Sequence, residues 1–201
     1  MPTSRVPLMV VPKRSAGHPH GRVFDAALSC IARWGLSKTT LEDIAREAGC
    51  SRATVYRVFP GGKETLLEAL ANDELTRFFE GLGQCLDAAG DIVTMLEDGI
   101  LYVSRALASN DALQYLLKNE PDQVMPMAVG RGEQSLTAAT AFLVPYLSKH
   151  VGPERAGADA ELVARLVFSY NLSPSLHFDF TDPKDVRDFV AAYVLPSFKS
   201  V

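Results

Sequence analysis

Apolar residues recur every three or four positions along almost the whole chain, and no segment alternates apolar with polar in the manner of a strand. That period belongs to helices with one buried face, so the chain is predicted to be all-α. Val23, Phe24, Ala27, Leu28, Ile31 and Ala32 outline a first helix, which Gly35 ends. Thr40 ahead of Leu41-Glu42-Asp43 makes a capping-box-like start. Leu41, Ile44, Ala45 and Ala48 form the apolar stripe of this second helix, and Gly49 stops it. Ser51 is placed to cap a short third helix carrying Val55, Val58 and Phe59. Pro60-Gly61-Gly62 breaks that helix.

The longer helices come later. One opens near Lys63 with Leu66, Leu67, Leu70, Leu75, Phe78, Phe79 and Leu82, and Asp91 opens the next with Met95, Leu96, Ile100, Leu101 and Val103. A short segment over 112–120 stops before Pro121. A helix from about 134 to 150 holds Pro145, which is expected to kink it. Residues 158–172 are strongly apolar. Asp182-Pro183 supplies an N-cap and a first-turn proline for a last helix with Val186, Phe189, Val190, Tyr193, Val194 and Leu195. Residues 1–18 are punctuated by prolines and have no helical period, and they read as a flexible basic arm.

Composition narrows the class. The 201 residues are 47% apolar and 22% charged, a globular balance that argues against a disordered chain. No apolar run approaches the ~18 residues of a membrane span, and the patch 7–12 is short, bounded by prolines and a poor signal peptide. Three cysteines at unrelated spacings suit a reducing cytoplasm better than a disulfide framework. The net charge of -4 is unevenly spread. Residues 1–60 carry nine Lys/Arg against four Asp/Glu, and the remainder carries eleven against twenty. A basic head on an acidic body suggests that the head alone meets a polyanion.

The second and third helices, joined by Gly49-Cys50-Ser51, have the form of a helix-turn-helix. Ala45 and Ala48 are small enough for two helices to cross closely, and Gly49 can take the left-handed conformation that ends the first. Val55, Val58 and Phe59 fasten the third helix inward. Arg52, Ala53, Tyr56 and Arg57 are left near the outer face. Arginine can grip guanine or phosphate with two bonds, alanine admits a thymine methyl, and a tyrosine hydroxyl can donate to phosphate. Tyr56 can also fill the core of the head with its hydroxyl outward.

The run from Thr40 to Leu66 resembles the DNA-binding region of the TetR family of transcriptional regulators. The resemblance rests on Thr40, Ile44-Ala45, Ala48-Gly49, Tyr56 and Phe59, and on Lys63 and Leu66 opening helix 4. Beyond about residue 75 it rests on architecture. It implies a DNA-binding head over 19–64 and a ligand-binding and dimerisation domain over 65–201. It also implies a cytoplasmic homodimer on a palindromic double-stranded operator, most often a repressor, released by a small molecule in the C-terminal domain. On this sequence Arg52, Ala53 and Thr54 become base-reading or base-adjacent candidates. Thr40, Tyr56, Arg57 and Lys63 become phosphate or groove-edge candidates, and Ser51 joins them as the cap of the reading helix. Val58 and the Gly61-Gly62 pair depart from the family pattern, the first by packing inward, the second by lengthening the turn before Lys63.

Plainer roles fit several neighbours. Glu42 and Arg46 have the spacing of a solvated helix pair, and Trp34 that of a packing anchor. Cys50 reads as a small core residue of the turn, or as a thiol activated by Arg52. His18 and His20 lack further ligands, so no metal site is expected.

In the body, Leu162, Leu166, Phe189, Tyr193 and Val194, with Phe168, are candidates for a two-fold four-helix dimer interface. Met95, Tyr102, Tyr115, Phe142, Tyr146, Phe168, Asn171 and His177 are candidate pocket residues around a hydrophobic effector. The acidic body speaks against a strongly anionic one. No Ser/His/acid set, HExxH, phosphate loop or dinucleotide fingerprint occurs, so neither an enzyme nor a cofactor is expected. An activator or interaction protein of the same build remains the alternative, because sequence does not set the sign of regulation.

Overall fold

A computed structural model of the chain describes Arg14 and residues 20–123, 132–173 and 175–199. Among the described residues all regular structure is helical. The elements are α1 (Gly21–Trp34), α2 (Leu41–Glu47), α3 (Arg52–Val58), α4 (Lys63–Ala88), α5 (Ile92–Ala108), α6 (Asp111–Asn119), α7 (Gly132–Val151), α8 (Pro153–Leu172) and α9 (Pro183–Phe189). A π turn, Val190–Val194, then leads into α10 (Leu195–Lys199).

Local signals set most boundaries. Gly35 (φ 85°) and Gly49 (φ 66°) end their helices in the left-handed region, where a side chain is strained. Thr40 and Asp43 form a reciprocal capping box on α2. The Ser51, Asn110 and Asp182 side chains each accept backbone N–H groups at the starts of α3, α6 and α9, and Asp91 accepts the amides of Val93 and Thr94 at the start of α5. Helix α7 runs through Pro145 without a break. Helix α8 starts at Pro153, ahead of the apolar stretch that announced it, with the proline at its first position.

The chain gathers into two compact units. One holds residues 14, 20–80 and 109–123; the other holds 81–108, 132–173 and 175–199. The boundary expected at 64/65 therefore falls inside α4, and α6 joins the head by packing on α1. The head core is Phe24, Ala27, Cys30, Ile31, Ile44, Ala45, Val55, Phe59, Leu66 and Leu70, with Ala112 from α6. Leu75, expected in the apolar stripe of α4, is 56% exposed, and Trp34 is also exposed.

The expected arm has one described member, Arg14, and it is anchored. Its side chain is 5% exposed and bonds Asp73 (2.7 Å), Glu74 (2.6 Å) and Asp25, with the guanidinium over the Phe24 ring. The rest of the expected arm, with His18, lies outside the described residues. His20 packs its ring against Phe24 and Phe59.

In the second unit α7 packs on α8, and α8 also meets α5. Ala156, Ala160, Val163 and Ala164 form the buried face of α8, and such small side chains let helices approach closely. Phe180, Val186, Phe189, Val190 and Val194 complete the core of this unit. The π turn is marked by the Leu195 N–H bonding the Val190 carbonyl, one residue further back than an α-helix would allow. It lies just ahead of Pro196, which has no N–H for the α pattern to use. No helix among the described residues is long and apolar enough to cross a membrane.

Candidate nucleic-acid interface

Helix α3 owes its place to three anchors. Val55 is fully buried, Phe59 is 3% exposed, and the Ser51 hydroxyl accepts the Thr54 amide at 3.1 Å. These fix which side chains face out. Arg52, Ala53, Tyr56 and Arg57 are exposed together on one helix, while Val58 is half-buried, as its departure from the family pattern implied. Thr54 is half-buried with its hydroxyl 3.0 Å from that of Ser51. Ser51, and Thr40 at the start of α2, are exposed as well as capping.

Arg52 is already arranged. A guanidinium nitrogen donates to the Tyr56 hydroxyl at 3.4 Å, and the guanidinium carbon lies 5.3 Å from the centre of the Tyr56 ring. The Tyr56 hydrogen bond, and to a lesser extent the Glu42 carboxylate, raise the Arg52 pKa above its ordinary value. The group is thus a fixed cation. Tyr56 is 40% exposed, with its ring on Arg52 and its edge toward Gly62. It is both part-packed and available at its hydroxyl.

Two open hollows flank Arg52. One, of ≈ 470 Å³, is lined by Glu42, Ala45, Arg46, Cys50 and Arg52. The other, of ≈ 460 Å³, is lined by Ser37, Thr39, Thr40, Leu41, Glu42, Arg52 and Lys63. Glu42 lines both, so a carboxylate of α2 stands beside Arg52. Its expected partner Arg46 turns instead to Asp43. The Asp43 carboxyl is held below the ordinary carboxylate range by the Thr40 hydroxyl and amide, and by Arg46.

Lys63 lines the second hollow and also has a partner inside the head. Its ammonium donates to the Leu36 carbonyl at 2.6 Å and is half-buried, so it braces the head from within. The places of two carboxylates are not evident from sequence. Glu42 has only the spacing of a helix pair, and no motif marks Glu120, although its carboxylate accepts the Leu36 and Ser37 amides.

The body candidates divide. Met95 and Tyr102 are buried core residues. The Phe142 and Tyr146 rings pack tilted, centroids 5.4 Å apart, near Gly83, where a Cβ would come within 3.1 Å of the Tyr146 hydroxyl. Tyr115 belongs to the head, against Gly35, because α6 packs there. Asn171 donates to the Val167 carbonyl of its own helix, and His177 is exposed, so neither is a buried polar anchor. Phe189 and Val194, expected at a dimer interface, are each 1% exposed and belong to the core of one chain. Phe189 sits in a ring cluster with Tyr170, Phe178 and Phe180. Leu162, Phe168 and Tyr193 are exposed, and Leu166 is half-buried. Burial pushes the carboxyls of Glu97 and Asp98 on α5 above their usual range. It also pushes the Cys85 thiol up to about 11, with a lesser push from Asp98.

Residues 23–70 match the family described as bacterial regulatory proteins, tetR family. The matched stretch takes in α1, α2, α3 and the start of α4, so this part of the chain is similar to the tetR-family regulators. An uncharacterised helix-turn-helix transcriptional regulator of Mycobacterium bovis is 28% identical over 163 residues, covering 81% of this chain and 82% of the relative. The helix-turn-helix regulator SrpR of Pseudomonas putida is 31% identical over 136 residues, covering 56% of this chain and 62% of that protein. Among solved structures, the TetR-family repressor AlkX of a Dietzia strain has a TM-score of 0.61 and 24% identity, covering 91% of this chain and 98% of that one. The fatty acid degradation regulator FadR of Bacillus halodurans has a TM-score of 0.60 and 19% identity, covering 88% and 96%. The named relatives are helix-turn-helix transcriptional regulators.

Proposed function

We propose that this regulator is a repressor that binds a palindromic operator as a homodimer through α3 and leaves it when a small hydrophobic effector occupies the body. The observation that carries the reading is the outward row Arg52, Ala53, Tyr56 and Arg57 on a short helix whose other face is locked into the core. Arg52 and Ala53 read base edges, with Thr54 beside them, while Thr40, Tyr56 and Arg57 meet the backbone.

Dimerisation is supported by the body. Leu162, Phe168, Leu172, Leu176 and Tyr193 are large apolar groups left exposed on α8 and the segments after it. A solvated monomer gains nothing from such a display, whereas a two-fold partner buries it. An apolar effector is supported by the half-buried Phe142–Tyr146 pair, beside a glycine that leaves their rings room. It would act by binding one of two head spacings better than the other.

Selection from a random duplex pool tests the reading. A recovered palindrome, bound with an affinity that falls steeply as salt rises, upholds it. Enrichment of no sequence at low salt by protein refolded free of ligand overturns it.

A further inference from the structure

One peptide in the loop between α1 and α2 is held from two sides. The Glu120 carboxylate, just past the end of α6, accepts the N–H of Leu36 at 3.0 Å and of Ser37 at 3.2 Å. The Lys63 ammonium, at the start of α4, donates to the carbonyl of the same Leu36 at 2.6 Å. Within the loop Thr39 is 1% exposed, and its hydroxyl donates to the Gly35 carbonyl at 2.6 Å. Gly35 itself has φ 85°, and a Cβ there would overlap the Glu120 carboxylate and the Tyr115 ring. The next residue along, Thr40, is the N-cap of α2. The chain just ahead of the helix-turn-helix is thus held by a carboxylate lying well beyond the matched residues 23–70.

We propose that Glu120 is a positioning residue for DNA recognition: by holding the Leu36 and Ser37 amides it sets the entry of the chain into α2, and so the presentation of α3. The proposal rests on the DNA-binding reading of the head and deepens it. An ionised carboxylate on two adjacent amides is a charge-assisted contact, about twice as strong as a neutral one. Removing it leaves both donors to find water in a loop whose other groups are already committed. Glutamine keeps one acceptor oxygen; alanine keeps none.

The test uses the full chain with Glu120→Ala and Glu120→Gln, and with Ala112→Gly as a stability control on the buried face of α6. Operator affinity is measured well below every variant's Tm, and amide hydrogen exchange is followed in the free proteins. Glu120→Ala is expected to weaken binding about tenfold, the loss typical of a charged hydrogen bond. Glu120→Gln is expected to weaken it less. Exchange should quicken at Leu36 and Ser37 and onward into the first turn of α2, while Cys30 in the middle of α1 stays protected. Wild-type affinity in both Glu120 variants overturns the proposal. So does an equal loss in Ala112→Gly, which would reduce the effect to stability. If the wild type binds no duplex, the DNA-binding reading fails by itself. Exchange then decides the positioning link: unchanged rates in α2 of Glu120→Gln remove it, and faster rates uphold it.

Discussion

The head and the body treat their surfaces in opposite ways. In the head the apolar side chains of α2 and α3 are inside, and what faces out on α3 is two arginines, an alanine and a tyrosine whose ring carries one of those arginines. In the body the core is equally closed around Phe189, Val190 and Val194, yet Leu162, Leu172, Leu176 and Tyr193 remain in the open. The head leaves Trp34 and Leu75 exposed, but the outer face of α3 offers polar groups. The body is closed inside and leaves apolar groups outside, which is what the proposed dimer would bury.

The largest expected effect attacks the body side of this contrast. Leu162→Arg combined with Tyr193→Arg should give a monomer in sedimentation. Because the two heads then bind one at a time, operator affinity should fall by on the order of 100-fold. A double variant that stays dimeric would place the interface elsewhere.

On the head side, Arg52→Ala should cost ~1–3 kcal/mol and relax preference at one operator position, as judged by repeating the selection with the variant. An unchanged consensus would mean that α3 presents another face. Tyr56→Phe removes the hydroxyl that holds Arg52 but keeps the ring, and should cost ~0.5–1 kcal/mol in binding. A double-mutant cycle with Arg52→Ala sharpens the point: coupling between the two is expected, and additivity would make Tyr56 an independent phosphate contact.

The smallest effect is one of pH. The folded pKa of Asp43 is depressed, so the support it gives the α2 cap is complete above its ordinary value of 3.8 and is lost as pH falls through the lowered one. Exchange of the Thr40 amide should quicken only below that ordinary value. The Asp43→Asn variant should show no such step.

What was legible in the sequence was local. Thr40 with Asp43, Ser51 with Thr54, and Asp182 ahead of Pro183 each act within a turn or so of the chain, and the structure uses all three as caps. The facing of α3 was legible too, because Val55 and Phe59 leave little choice about which side goes in. What was not legible depended on partners far along the chain. Helix α6 has an ordinary amphipathic pattern, which does not say that it packs on α1, so Tyr115 goes to the wrong unit on pattern alone. Lys63 has the type and place of a phosphate contact, and only the fold shows the Leu36 carbonyl within its reach. Phe189 and Val194 are apolar at helical spacing, as either a core or an interface would require. The π turn shifts the facing of the residues after it, and a 3.6-residue period cannot show that.

The anchoring of Arg14 bears on how this protein can be shortened. Its guanidinium joins Asp25 of α1 to Asp73 and Glu74 of α4, with Arg77 alongside. A chain trimmed at residue 20, where the regular helices begin, would keep every helix of the head and lose the cation that draws those acids together. Asp25 of α1 would then lose the cation it shares with Asp73 and Glu74, and the tie between α1 and α4 at that end would loosen. Trimming to residue 13 would spare it. The working boundary of the head is thus a matter of charge, and it lies ahead of its first helix.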